Sequence, residues 1–338
     1  MPTLSIAECA QLAQRALTAG GAAMGPSEST ARALVAAEVD GQLGHGLGRI
    51  PSYTAQVRAG KIDGSAVPSL RRLRPAAVRI DAAHGFAYPP LDLAVETLPG
   101  LAREYGVAGA TIHRSHHIGA AGYTAERLAQ HGCVALVCSN TPRAMAFAGG
   151  IRPMMGTNPI AFAAPLPGRA PLVIDMALSQ VARSRIVAAQ RAGETIPSEW
   201  AIDSAGQPTT DPSAALSGAL TPAGGVKGAA LALIVEILCG ALAGGHYGWE
   251  ACSFLDDQGP SPAVGQVLLA LDADALSVGG FARRMSDLIE VMDAESGVRI
   301  PGDRRLASRV RAKAHGVEVG AQLYATLTGL AKNAGTAP

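Results

Sequence analysis

The stretch V-A-G-A-T-I-H-R-S-H-H-I-G-A-A-G, from Val107 to Gly122, followed at once by Y-T-A-E-R-L-A-Q, from Tyr123 to Gln130, decides how this chain is read. An apolar run, a polar loop and then a segment with Leu128 on its apolar face spell a strand, a loop and a helix start in that order. Ligands bind at such junctions. Backbone N–H groups at a helix N-terminus attract anions, and Gly119 and Gly122 remove the Cβ atoms that would keep a phosphate from the backbone. His113, His116 and His117 bring a group that exchanges protons near neutral pH. Each alone also reads as a structural or solvated histidine, and His113 with His116 as a metal pair. A strand end does not keep that pair on one face as a helix does, and no cysteine or carboxylate lies close by, so no metal site is expected. The G-x-G-x-x-G fingerprint is absent from the junction, so a nicotinamide enzyme built on this chain needs a different cofactor fold.

Working outward, Ala77 to Asp81 reads as a strand and Leu91 to Tyr105 as a helix, while residues 60–76 read as a partly basic loop. Downstream, Cys133 to Ser139, Ile160 to Ala164 and Pro171 to Ala177 are apolar runs of strand length, the last two joined by the turn P-L-P-G-R-A. Strands that first alternate with helices and then follow one another imply an α/β (α+β) fold, a mixed sheet flanked by helices. At the N-terminus, Ser5 and Glu8 form a capping box for a helix over Ile6 to Leu17, and Ser27 caps a second over Glu28 to Leu43. G-H-G-L-G-R-I-P-S-Y, residues 44–53, then leaves His45 and Arg49 on a short loop. They read either as complements to the helix dipole or as a carboxylate-binding arginine beside a proton-exchanging histidine.

Residues 190–222 are rich in Pro, Gly, Ser and Thr and read as a long functional loop. G-G-V-K-G, residues 224–228, opens an apolar helix reaching Ala243, with Lys227 in its first turn. A cation there opposes the helix dipole, so it is either solvated or placed to meet an anion. Val264 to Asp272 reads as a strand and Phe281 to Met292 as a helix. R-I-P-G-D-R-R, residues 299–305, reads as a cationic turn, followed by amphipathic helices over about 306–314 and 321–332. No internal repeat is evident.

With 48% hydrophobic and 16% charged residues, the 338-residue composition is globular. Lys plus Arg number 28 against 27 Asp plus Glu, which gives no electrostatic case for nucleic acid or an anionic membrane. Five cysteines, an odd count set mostly in apolar runs, read as free thiols of a reducing compartment, so a cytoplasmic protein is expected.

Seven segments, in order and spanning nearly the whole chain, together resemble the type 2 malate/L-lactate dehydrogenase family, which includes ureidoglycolate and sulfolactate dehydrogenases, diketogulonate reductase and the cyclic ketimine reductases. They are H-G-L-G-R-I-P-S-Y (45–53), S-H-H-I-G-A-A-G-Y (115–123), G-T-N-P-I-A-F-A-A-P (156–165), I-D-M-A-L-S (174–179), W-A-I-D with G-x-P-T-T-D-P (200–212), G-G-V-K-G (224–228) and R-I-P-G-D-R-R (299–305). The resemblance implies a homodimeric oxidoreductase using NADPH or NADH on a small carboxylate substrate, with a mostly antiparallel, non-Rossmann cofactor domain. It implies a helical N-terminal segment, 1–75, packing with 305–338, and an NAD(P)-binding and catalytic domain over 76–304 with a loop-rich, helical insert at about 185–260.

Carried over by position, His45 and His117 look like the family's active-site histidines, Arg49 like its substrate-carboxylate ligand and Thr157 like a substrate contact. His117, Ile118, Gly119, Ala120, Ala121, Asp175, Met176, Ala177, Lys227, Arg299, Pro301, Gly302, Arg304 and Arg305 match cofactor-binding segments. Three positions depart from the family: Gly44 stands where serine is frequent, Val226 replaces the histidine of H-K-G, and A-R-S-R (182–185) replaces A-R-G-K. Ketimine reductases carry a catalytic aspartate where Arg185 stands. An arginine cannot act as an acid near neutral pH, but Arg183 and Arg185 can hold a second anionic group on the substrate. The expected reaction is hydride transfer between nicotinamide and a 2-oxo/2-hydroxy acid. Alternatives are reduction of Δ1-piperideine-2-carboxylate or Δ1-pyrroline-2-carboxylate, a cofactor-binding homologue without activity, and a histidine-based metal lyase or hydrolase.

Overall fold

A computed structural model describes residues 1–332. Residues 333–338, the end of the segment expected to pack with 1–75, lie outside the described residues. The capping box forms as the sequence requires: Glu8 N–H donates to Ser5 Oγ (3.2 Å) and Ser5 N–H to Glu8 Oε2 (2.7 Å), starting α1 (Ile6–Ala19). α2 spans Met24–Val39 and begins before Ser27, correcting the expected cap. Ala23 is the extended residue at its start, and the buried Ser27 hydroxyl donates to the Met24 carbonyl instead. Two tight turns, Leu43–His45 and Leu47–Arg49, then lead into α3 (Ile50–Arg58). Glu38, at the end of α2, accepts the Leu47 N–H at 2.8 Å and fixes the path of these turns.

The central sheet has seven strands: β1 (Ser69–Arg74), β2 (Ala77–Asp81), β3 (Val107–Ser115), β4 (Cys133–Ser139), β5 (Ile160–Ala164), β6 (Leu172–Met176) and β7 (Val264–Asp272). Their order is β1-β2-β3-β7-β4-β5-β6, and only β2 with β3 pairs parallel. The expected mixed, mostly antiparallel sheet is what forms. β1 falls in the segment expected to be loop. It is an edge strand, S-L-R-R-L-R, whose exposed arginines give no apolar alternation and guard the edge against pairing with another chain.

On one face lie α4 (Tyr88–Tyr105) and α5 (Ala121–Gln130). α4 starts earlier than expected because Pro89 and Pro90 fit a first helical turn, where no N–H is needed. Leu91, Leu98, Ile80, Ile112, Leu128 and Leu268 are fully buried there, each contributing about 2 kcal/mol of apolar transfer. Ala94, Ala125, Ala135 and Ala161 let these helices lie close to the sheet. α6 (Arg183–Ala192), α7 (Val226–Glu236), β7, α8 (Phe281–Ala294), α9 (Asp303–His315) and α10 (Ala321–Lys332) complete the major elements. A second core joins α1, α2 and α3 with Val317, Val319 and Leu327 from the C-terminal segment.

The expected helix to Ala243 is regular only as far as Glu236, and Ile237–Leu242 widens into a π-turn. A Cβ on Gly265 of β7 would lie 2.0 Å from the Cys239 carbonyl, so helix and strand meet backbone to backbone. Residues 190–222 contain a short helix, Pro212–Ser217, and strands pairing Ala201–Ile202 with Ala219–Leu220, so that segment is less irregular than its composition suggests.

Candidate active site

The β3–α5 junction forms as a strand, a loop and a helix, with His116 and His117 buried between them. His113 belongs to a different environment, on β3 opposite Asp81, with Arg79 and Arg114 among its charged neighbours. Among the described residues no group of three His, Cys, Asp or Glu side chains is placed to hold a metal ion.

The turn carrying His45 and Arg49 meets this junction. His45 and His117 stack with ring centroids 5.3 Å apart and planes 24° from parallel. His117 Nδ1 lies 2.8 Å from the Tyr53 hydroxyl, one turn into α3. Among the described residues its Nε2 has no hydrogen-bond partner, and that nitrogen is not sealed from solvent. His45, by contrast, has a sealed Nδ1 without a partner among the described residues, and its Nε2 is not sealed. Among the described residues both His116 nitrogens are sealed and unpartnered. Phe254 lies against His116 and His117, at centroid distances of 5.1 and 5.0 Å, and closes the far side. Gln56 Nε2, donating to the Phe254 carbonyl at 2.9 Å, and the buried Lys61 ammonium, on the carbonyls of Asp256 and Gln258, pin that loop.

Burial, reinforced by the Arg49 guanidinium, pulls His45 down to about 4 and His117 well below the usual histidine range. Burial and Lys61 bring His116 to about 3. All three rings are neutral at pH 7, and an anion entering beside Arg49 would raise His45 and His117.

Arg49 Nε donates to the Gly44 carbonyl at 2.7 Å. On the other side of Gly44, Ser184 Oγ lies 3.9 Å from where a Cβ would stand, so the first turn of α6, opening at Arg183, abuts the histidine turn. Burial lowers the Arg183 pKa, and among the described residues neither Arg49 nor Arg183 makes an ion pair. Arg185 is exposed and stacks on Trp200, 4.9 Å from the ring centre. The Thr157 N–H donates to Thr141 Oγ1 (2.9 Å), and its carbonyl accepts from Leu178 N–H. The neighbouring Asn158 reaches Glu236, whose carboxylate accepts from Asn140 (3.1 Å), Asn158 (2.7 Å) and the Gly248 N–H (2.6 Å).

A cavity of about 630 Å³ runs from Gln42 to the 299–305 turn. It gathers Gly122, Asp175, Arg299, Pro301, Gly302, Arg304 and Arg305, which the sequence reading placed at a phosphate or the cofactor, with Asp40, Ser308 and Arg311, which that reading did not name. Its end at Gln42 is three residues from His45. Ile118, Gly119, Ala120, Ala121, Met176, Ala177 and Lys227 are not in its wall; Met176 and Lys227 are exposed, Lys227 in the first turn of α7. Both glycines make room for a side chain of the protein itself. The space a Gly119 Cβ would take is filled by the Tyr88 hydroxyl (2.4 Å), and that of Gly122 by Asp175 (3.0 Å), which also accepts the Gly122 N–H. Arg305 Nη1 is bound to Glu126 at 2.7 Å, while its Nη2 is buried without a partner beside Gly302. An unpartnered guanidinium nitrogen in a cavity lined by three further arginines fits a nucleotide phosphate.

The family model of the malate/L-lactate dehydrogenases matches residues 4–328. The chain belongs to that family. It is 47% identical over 306 residues to a (2R)-3-sulfolactate dehydrogenase (NADP(+)) of Chromohalobacter salexigens, covering 90% of this chain and 91% of that one. To a Δ1-pyrroline-2-carboxylate/Δ1-piperideine-2-carboxylate reductase of Pseudomonas putida it is 41% identical over 300 residues, 87% and 88% of the two chains. The crystal structure of the Δ1-piperideine-2-carboxylate reductase of Pseudomonas syringae pv. tomato superimposes with a TM-score of 0.93 at 36% identity, over 98% and 100% of the chains. Like its relatives in the malate/L-lactate dehydrogenase family, this chain is an NAD(P)-dependent oxidoreductase.

Proposed function

We propose that the protein interconverts a 2-oxo acid and its 2-hydroxy acid with NADP(H), and that its substrate carries a second anionic group, as 3-sulfopyruvate and 3-sulfolactate do. The observation that carries this reading is the pair of cations around Gly44. Arg49 sits on the Gly44 carbonyl, Arg183 opens the helix on its other side, and neither meets a carboxylate of the described residues. A half-buried guanidinium left unpaired favours an anionic ligand, and two separate ones favour a dianion. The sulfolactate for which the 47% identical relative from Chromohalobacter salexigens is named has that character.

In this reading Arg49 holds the 2-carboxylate, Arg183 the distal anion with Arg185 further out, and Thr157 lines the substrate pocket. His45 and His117 present open Nε2 atoms for the proton exchange, and Phe254 shields them from water. NADPH supplies the hydride. Gly122, Asp175 and the 299–305 turn hold the nucleotide, with the Arg305 Nη2 and the Arg304 and Arg311 side chains meeting phosphate. The test is NADPH and NADH oxidation with 3-sulfopyruvate, oxaloacetate, pyruvate and the two cyclic ketimines in parallel. Preference for the dianions supports this reading. Preference for the ketimines favours the second one, which rests on the 41% identical reductase.

We further infer that two copies pair through α7. The helix is apolar nearly all round, and Val226, Leu231, Leu233, Ile234 and Ile237 remain between 41% and 73% exposed. Sedimentation at micromolar concentration should give a dimer, and Ile234→Glu a monomer. The five unpaired cysteines fit a cytoplasmic location.

A further inference from the structure

The two stacked histidines are not equivalent. The Nδ1 of His45 is sealed without a partner, whereas that of His117 lies 2.8 Å from the Tyr53 hydroxyl. Tyr53 is fully buried; Phe86 flanks its ring at 5.7 Å and His116 at 5.6 Å. Burial raises the pKa of the Tyr53 phenol, so it stays protonated and serves as donor or acceptor. Behind it stands the Tyr88 phenol, fixed against Gly119, where no Cβ intervenes.

A neutral histidine that takes a proton at Nε2 must carry its own proton on Nδ1. In the oxidising direction the hydride leaves C2 of the hydroxy acid for nicotinamide, while the hydroxyl O–H breaks and its proton goes to Nε2. In the reverse direction the imidazolium returns that proton to the forming alkoxide. If Tyr53 accepts from Nδ1–H, the same hydrogen bond serves the neutral and the charged ring, and one proton moves at one atom. If Tyr53 donated instead, Nε2 would be blocked and the hydroxyl would have to turn round whenever the ring charged. A polar group already oriented for both states costs no reorganisation during the reaction.

We propose that Tyr53 is a positioning residue that accepts the Nδ1–H of His117 and holds the bare Nε2 of the neutral ring toward the substrate hydroxyl, which selects His117 over His45 as the group that exchanges the proton. The inference rests on the reading of this site as one that exchanges a proton with a hydroxy acid.

Long-range 1H–15N spectra of the histidine-labelled protein at pH 7.5, with His117→Asn assigning the signal, read the tautomer directly. The expected result is Nδ1–H for His117, shifting to Nε2–H in Tyr53→Phe. In Tyr53→Phe, kcat for 2-hydroxy acid oxidation should fall about 100-fold, while KM and NADP+ affinity stay within about twofold if only positioning is lost. An Nε2–H tautomer in the unmodified protein, or an unchanged kcat in a folded Tyr53→Phe, would overturn it. If Tyr53→Phe does not fold, the spectrum of the unmodified protein decides alone. Hydroxy-acid turnover that survives in His117→Asn would overturn the inference too, by leaving the exchange to His45, whereas no turnover of any 2-hydroxy acid by the unmodified protein would count against the site reading, whatever the tautomer.

Discussion

His45 and His117 stack 5.3 Å apart, centroid to centroid, under the influence of one guanidinium, that of Arg49. This geometry, with burial as the larger cause, keeps both rings neutral far below the pH at which a free histidine charges. The unfolded chain takes up these protons near pH 6.5, whereas the folded chain resists until about 4 for His45 and about 3 for His116. Below pH 6.5 the unfolded state therefore binds more protons, and stability falls as pH drops. Each histidine contributes about 1.4 kcal/mol per pH unit within that window. Urea unfolding at pH 7.5, 6 and 5 should show this slope, reduced in His116→Leu, which also removes two unpartnered nitrogens from the core. A flat profile between pH 7 and 5 would contradict the burial of these rings.

Gly119 has φ of +72° and would place a Cβ 2.4 Å from the Tyr88 hydroxyl. Gly119→Ala should cost about 1–3 kcal/mol from backbone strain alone, read as a lower Tm, with a further loss from the steric contact. Adding Tyr88→Phe should recover the steric part and leave the conformational part. Full recovery in the double variant would mean that the left-handed backbone costs nothing there.

Arg304 and Arg305 are neighbours in sequence with different tasks. Arg305 is bound to the buried Glu126 alongside Arg309, whereas Arg304 is exposed in the wall of the cavity proposed to hold the nucleotide. Arg304→Ala should weaken NADPH binding about tenfold, the loss of one charge-assisted hydrogen bond, and leave Tm unchanged. Arg305→Ala should lower Tm as well. NADPH fluorescence titration and thermal melts separate the two, and equal effects of both changes would be inconsistent with the structure.

Glu236 is the acceptor for three donors, from Asn140, Asn158 and Gly248. Glu236→Gln turns an NH2 group toward one of them. It should destabilise by about 1–3 kcal/mol and raise KM, because Asn158 and Thr157 share one backbone turn. A Glu236→Gln protein with unchanged Tm and KM would show that the network does not support the site.

Much of this was legible in the sequence. β2, β4, β5 and β7 fall where their apolar runs end against turn residues, and the Ser5–Glu8 box announces α1. Segments whose signal is tertiary were not. β1 is polar because it is an edge strand, Ser27 is a buried hydroxyl and not a cap, and the helix after Lys227 loosens where Cys239 meets Gly265. His45 and His117 were singled out by the family resemblance, the spacing alone leaving His113 and His116 as equal candidates, and Tyr53, 64 residues from His117, carries no mark of its hydrogen bond. Asp40, Ser308 and Arg311 were likewise invisible, because the cavity forms only when the end of α2 meets the start of α9.

The most direct test of the central claim is the ratio of kcat/KM for 3-sulfopyruvate over pyruvate with NADPH, in the unmodified protein and in Arg183→Met. A second cation that binds the distal anion should give a ratio of about 100 or more, as expected for a charge-assisted contact of about 3 kcal/mol. In Arg183→Met the ratio should collapse toward one while pyruvate turnover is retained. A ratio near one in the unmodified protein, or one that survives the loss of Arg183, would contradict the assignment of a dianionic substrate.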